Sequence, residues 1–94
     1  GKKISKGIAE WYENGQKKFE GTYKNGKKDG KWIAWYENGA KKEKATLKDG
    51  KIDGLGTQWD EDGTKVSETT FRNGKIVGRQ WLHKDYTLKK MPKP

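Results

Sequence analysis

The stretch WYENGQKKFEGTYKNGKKDGKWIA, residues 11–34, decides the fold, because it returns at a fixed interval. WYENGAKKEKATLKDGKIDGLGTQ follows at 35–58 and WDEDGTKVSETTFRNGKIVGRQWL at 59–82, each 24 residues after the last. A period of this length marks an array whose units bury apolar surface against their neighbours rather than around one centre. Each unit holds two Asn-Gly or Asp-Gly dipeptides between short alternating segments. One set is Asn14-Gly15, Asn38-Gly39 and Asp62-Gly63; the other is Asn25-Gly26, Asp49-Gly50 and Asn73-Gly74. Such dipeptides suit the two positive-φ positions of a type I′ hairpin turn.

Counting outward from the first set pairs Trp11 with Lys18, Trp35 with Lys42 and Trp59 with Val66, then Tyr12 with Lys17, Tyr36 with Lys41 and Asp60 with Lys65. Counting from the second pairs Tyr23 with Lys28, Leu47 with Ile52 and Phe71 with Ile76. The turns alternate at 11 and 13 residues, so the longer arm is expected to bulge near Gly30, Gly54 and Gly78. The expected fold is all-β: an elongated single-layer antiparallel meander of stacked β-hairpin repeats with a 24-residue period. It divides into a partial leading repeat at 1–10, repeats at 11–34, 35–58 and 59–82, and a decayed repeat with a basic tail at 83–94, one domain in all. His83 stands where the next Trp would fall, and Pro92 and Pro94 argue against a strand beyond Leu88, where a flexible end is expected.

Period-two alternation separates the faces. Phe19, Gly21, Tyr23 recurs as Glu43, Ala45, Leu47 and as Ser67, Thr69, Phe71, with Thr22, Thr46 and Thr70 in between. One face should collect Tyr12, Tyr23, Trp32, Tyr36, Leu47, Ile52, Phe71 and Ile76. The other should carry Trp11, Trp35 and Trp59 among Lys and Thr, unless the bulge swings that stripe across.

Composition alone points away from folding. Ile, Val, Leu and Phe make up 13 of 94 residues, below the roughly 20% that, with high net charge, marks a disordered chain. The repeat reverses that inference, because stacked hairpins need only neighbour contacts. No apolar run approaches the ~18 residues of a membrane-spanning helix. The chain shows neither an initiator Met nor a signal-like apolar segment, so Gly1 is expected to be a processed or introduced end.

No enzyme is expected, and no cofactor. With one His and no Cys, thiol chemistry and Cys-ligated zinc are absent and acid–base options are few. The Glu13/Glu37/Glu61 column reads as a solvated charge ladder beside Lys. DEDG at 60–63 fails as a calcium loop, since Gln58 and Thr69 would occupy the terminal ligand positions. Lys27, Lys51 and Lys75 lack the Ser or Thr of a phosphate loop and read as turn residues.

NGKKDGKW at 25–32, and more closely DGKIDGLGTQWDEDG at 49–63, resemble the MORN repeat. Its unit carries an aromatic-x-x-Gly-x-x-x-Gly-x-Gly pattern, which Leu47, Gly50, Gly54 and Gly56 follow; Trp32 and Gln80 stand at the last position in the other copies. WYENG and the period make residues 7–82 look more like the bacterial MORN-repeat variant, including YwqK-type proteins assigned an antitoxin role. The resemblance implies scaffolding, membrane-binding or toxin-partner roles and supplies no catalytic residue.

The net charge of +9 comes from 22 Lys and Arg against 13 Asp and Glu. It recurs as columns, Lys17/Lys41/Lys65, Lys24/Lys48/Arg72 and Lys27/Lys51/Lys75, which will attract anions even where they serve only solubility. The candidate binding residues are Trp11, Trp35, Trp59, Tyr12, Tyr36, Lys17, Lys41 and Lys65, because aromatics dominate binding hot spots. Packing is the primary reading of the Trp stripe and binding the second. Another protein is the expected partner, with anionic lipid or cell-wall glycan as the alternative and dimerisation through free strand edges open. Nucleic acid is disfavoured, since Arg, the usual base and phosphate reader, is nearly absent. The compartment stays open between bacterial cytoplasm and a secreted or surface location. If the stripe packs the fold, Trp35→Ala abolishes cooperative melting followed by circular dichroism; retained melting with lost partner binding would make it a site.

Overall fold

The computed structural model describes residues 5–82. The strands are β1 (Ser5–Trp11), β2 (Lys17–Lys24), β3 (Lys27–Lys28), β4 (Gly30–Trp35), β5 (Lys41–Lys48), β6 (Lys51–Ile52), β7 (Gly54–Trp59), β8 (Lys65–Arg72) and β9 (Lys75–Trp81). They form one antiparallel sheet in the order β1-β2-β4-β5-β7-β8-β9, with β3 on β2 and β6 on β5. Spatial order follows chain order, so the sheet is a meander. Its extents are 52 × 36 × 21 Å and its radius of gyration 15.1 Å, against about 12 Å for a compact domain of this length. The expected leading residues 1–4 and the decayed repeat and tail at 83–94 lie outside the described residues.

The two sets of Asn/Asp-Gly dipeptides make different turns. At Asn25-Gly26, Asp49-Gly50 and Asn73-Gly74 both residues have positive φ, 52° and 82° in the first case, as a type I′ turn requires. The expected pairs Tyr23–Lys28, Leu47–Ile52 and Phe71–Ile76 are all present.

At Gly15, Gly39 and Gly63 only the glycine is left-handed, with φ near 90°. Tyr12 N–H donates to the Gln16 carbonyl and Gly15 N–H to the Tyr12 carbonyl, at 2.8 and 3.0 Å. This is a three-residue loop ending in a glycine bulge. The expectation of type I′ turns here is therefore corrected. The cause is the Asn14 side chain: its Oδ1 accepts from Gln16 N–H at 2.9 Å, an Asx turn that holds Asn14 out of the left-handed region. Asn38 and Asp62 do the same for Ala40 and Thr64. The register moves by one residue with it. Trp11, Trp35 and Trp59 pair with Lys17, Lys41 and Lys65 rather than with Lys18, Lys42 and Val66. Tyr12, Tyr36 and Asp60 accordingly sit opposite Gln16, Ala40 and Thr64, which accept from their N–H groups, and not opposite the lysines.

The irregularity expected in the longer arm is present but differs between copies. Gly30 and Gly54 have φ of 86° and 99°, and there the arm breaks into β3/β4 and β6/β7. Pairing passes from Tyr23↔Lys28 to Glu20↔Ile33, which leaves β2 and β4 joined at only two positions. In the last copy Val77 alone is extra, between Phe71↔Ile76 and Thr70↔Gly78, and β9 runs unbroken.

Where β2 and β4 diverge, Trp32 fills the opening. Its ring lies over Gly21, where an added Cβ would run into the indole. The Trp32 Nε1–H donates to the Thr22 carbonyl at 3.1 Å. Phe19 stacks on the ring and Tyr23 meets it edge-on, with centroids 6.1 and 5.6 Å away. Few side chains are fully enclosed: among the described residues Val66, Ser67 and Thr69 are at most 3% exposed. Half-buried aromatics stand in for a globular core. Gly21→Ala is expected to lower stability by about 1–3 kcal/mol, the usual cost of overpacking, in a urea titration.

Candidate functional site

Pairing parity places the Trp stripe on the face opposite Phe19, Trp32 and Phe71, so the bulge does not swing it across. Trp11 lies in register with Lys17, and Lys17 Nζ bonds Glu20 Oε2 at 2.7 Å. The same ammonium stands 5.7 Å from the centre of the Trp35 ring, in the next repeat, and Lys41 stands 5.7 Å from Trp59. Each of these lysines thus covers the following repeat's indole with its stem and charge. Trp35 and Trp59 are half-buried, whereas Trp11 at the start of the array is 60% exposed. Lys65 Nζ is 3.5 Å from Glu68 Oε1.

The tyrosines act between repeats. Tyr12 Oη–H donates to the Trp35 carbonyl at 2.7 Å and Tyr36 Oη–H to the Trp59 carbonyl at 2.9 Å. Lys18 and Lys42 cover those tyrosine rings at 5.6 and 5.7 Å. Beside them, Asn14 Nδ2 donates to the Glu37 carbonyl and Asn38 Nδ2 to the Glu61 carbonyl, at 2.9 and 2.8 Å. Composition and spacing did not reveal this Asn role. Its signal is in the columns: Tyr12, Tyr36, Asp60 and Asn14, Asn38, Asp62 both exchange a donor for a carboxylate in the last regular copy.

The opposite rim is formed by the type I′ turns. Gly50 N–H donates to the Lys28 carbonyl and Gly74 N–H to the Ile52 carbonyl, each at 2.8 Å, so one turn stacks on the next. The residues flanking these turns pair cation against cation: Lys24 with Lys27, Lys48 with Lys51, and Arg72 with Lys75. Like charges directly opposite destabilise a hairpin. Successive repeats lie about 10 Å apart, so the pairs form a ladder.

A groove of ≈ 400 Å³ opens on the face away from the Trp stripe. Trp32, Leu47, Ile52 and Phe71 form its apolar walls, and Lys28, Glu43 and Arg79 bring charge to it. None of the eight residues expected to bind from sequence lines it. Arg79 is oriented by its Nε–H, which donates to Thr69 Oγ1 at 2.9 Å. Among the described residues no group of three or more His, Cys, Asp or Glu is placed to hold a metal ion.

These features define an open β-hairpin repeat array whose units are joined at both rims. The family model for the MORN repeat variant matches residues 7–25, 28–49 and 52–73, more than half of the chain, and the chain belongs to that family. The matched segments contain the hairpins β4–β5 and β7–β8 and, from residue 7 onward, β1–β2. No curated protein and no solved structure matches the chain significantly.

Tyr12→Phe should remove one inter-repeat hydrogen bond and cost about 1 kcal/mol, read as a lower urea midpoint with an unchanged slope.

Proposed function

We propose that this chain is a non-enzymatic module that binds another protein through the grooved face of its sheet. The observation that carries the reading is the groove itself, apolar along its walls and bordered by Lys28 and Arg79 on a chain of net charge +9. Most of the Trp-stripe side chains are engaged in holding one repeat to the next, whereas the groove walls are open. Association through such a surface needs no catalytic group. An immunity-type or antitoxin-like role is the specific form this takes: the module neutralises its partner by covering an acidic or substrate-binding surface. Co-expression with the product of an adjacent gene tests that form. Growth restored by the module, and lost again when Lys28 and Arg79 are both changed to Glu, supports it. Growth unaffected by the module contradicts it.

A second reading rests on the rim of paired cations. Three like-charge cross-strand pairs oppose folding in isolation and would be relieved by an anionic surface, each cation being worth about 1 kcal/mol near an acidic leaflet. Vesicles of phosphatidylserine and phosphatidylcholine should then sediment the chain at low salt and release it as salt rises. Failure to sediment at low salt removes this reading.

A further inference from the structure

One row of positions crosses the whole sheet. Ile8 is in register with Gly21, Trp32 with Ala45, and Gly56 with Thr69, which in turn pairs with Arg79. In the first repeat the glycine of this row, Gly21, is covered by the indole of Trp32. One period later the same two positions hold Ala45 and Gly56, so the second repeat has no ring of its own to lay there. Phe71 borders the place from the far side, with Cε2 at 3.0 Å from a Cβ built on Gly56. The result is a slot between Trp32 and Phe71, and it is the groove described above. Its ≈ 400 Å³ falls within the roughly 300–1,000 Å³ of ligand sites.

The slot is walled by two aromatic rings, a setting in which a third ring gains offset or edge contacts. Its charged border is unbalanced. Lys28 lies over Trp32 at 4.9 Å, on the side of the type I′ turns, and Arg79 is held beside the row by Thr69. Glu43 is the one acid among the lining residues, in register with Ala34 and Gln58 toward the other rim. Resting on the protein-binding reading, we infer that this slot receives an aromatic side chain projecting from an acidic segment of the partner protein. The partner supplies the ring that the second repeat lacks, and its carboxylates meet Lys28 and Arg79.

The test uses the full chain and three blocked pentapeptides: Asp-Glu-Trp-Glu-Asp, the same peptide with Ala for Trp, and the same with Asn and Gln for the acids. Heteronuclear NMR titration should show the first peptide shifting the Trp32 indole N–H and the Gly56 amide. The other two should bind at least about tenfold more weakly, as loss of a hot-spot contact or of its charge partners does. Ala45→Leu, which extends into the slot from its floor, should weaken the first peptide by a similar factor while keeping native melting. Equal binding of the Trp and Ala peptides overturns the inference, as do shifts confined to the lysine rim or an absence of binding at millimolar peptide. Slot signals that move with protein concentration alone would assign the slot to a second copy and also overturn it. Should Ala45→Leu not fold, the peptide series on the native chain decides. A folded Ala45→Leu chain that still binds its protein partner at full strength overturns the slot and leaves the protein-binding reading standing.

Discussion

Backbone carbonyls of one repeat are bonded by groups of its neighbours, and everything else in this molecule depends on that coupling. At one rim the Tyr12 and Tyr36 hydroxyls and the Asn14 and Asn38 amides reach forward to carbonyls 23 residues on. At the other, the Gly50 and Gly74 amides reach back to the preceding hairpin. A lone hairpin in water is marginal. Here each is clamped at both ends by its neighbours, and the sheet between the rims needs only half-buried rings and lysine stems to exclude water. That is how a chain with 13 Ile, Val, Leu and Phe residues in 94 forms a regular sheet.

The coupling also explains which side chains remain for function. Lys17 and Lys41 are laid over the next repeat's Trp, and the tyrosines are held by hydrogen bonds, so these residues serve the array first. Surface not used in this way gathers in two places: the slot between Trp32 and Phe71, and the rim where cations face cations. The slot exists because the repeats differ, and the rim because they are alike. Gly56 in place of Trp32 opens the slot, and the basic residues flanking each type I′ turn create the rim.

Much of the fold was legible because hairpin chemistry is local. The period, the meander, the second set of turns with its cross-strand pairs, and the irregularity in the longer arm all follow from dipeptides and alternation. Two things were not. Asn-Gly serves both a type I′ turn and a glycine-bulge loop: in the loop the side chain caps the backbone two residues on, as Asn14 does, and in the turn the Asn itself takes a left-handed φ, as Asn25 does. That ambiguity shifted the Trp–Lys register by one residue. The groove was illegible for a different reason: it is made by what Gly56 lacks, and by the divergence of strands that only the three-dimensional register reveals. The Trp columns drew attention because they repeat, whereas the slot arises where the repeat is broken.

Joining of the repeats by turn stacking is tested most directly by amide hydrogen exchange at Gly50 and Gly74. Both lie in two-residue turns, where amides ordinarily exchange quickly. Coupling predicts that they exchange as slowly as strand amides of β5 and β8, opening only with the sheet. Exchange at the rate of free turn amides, while the strands stay protected, would contradict it.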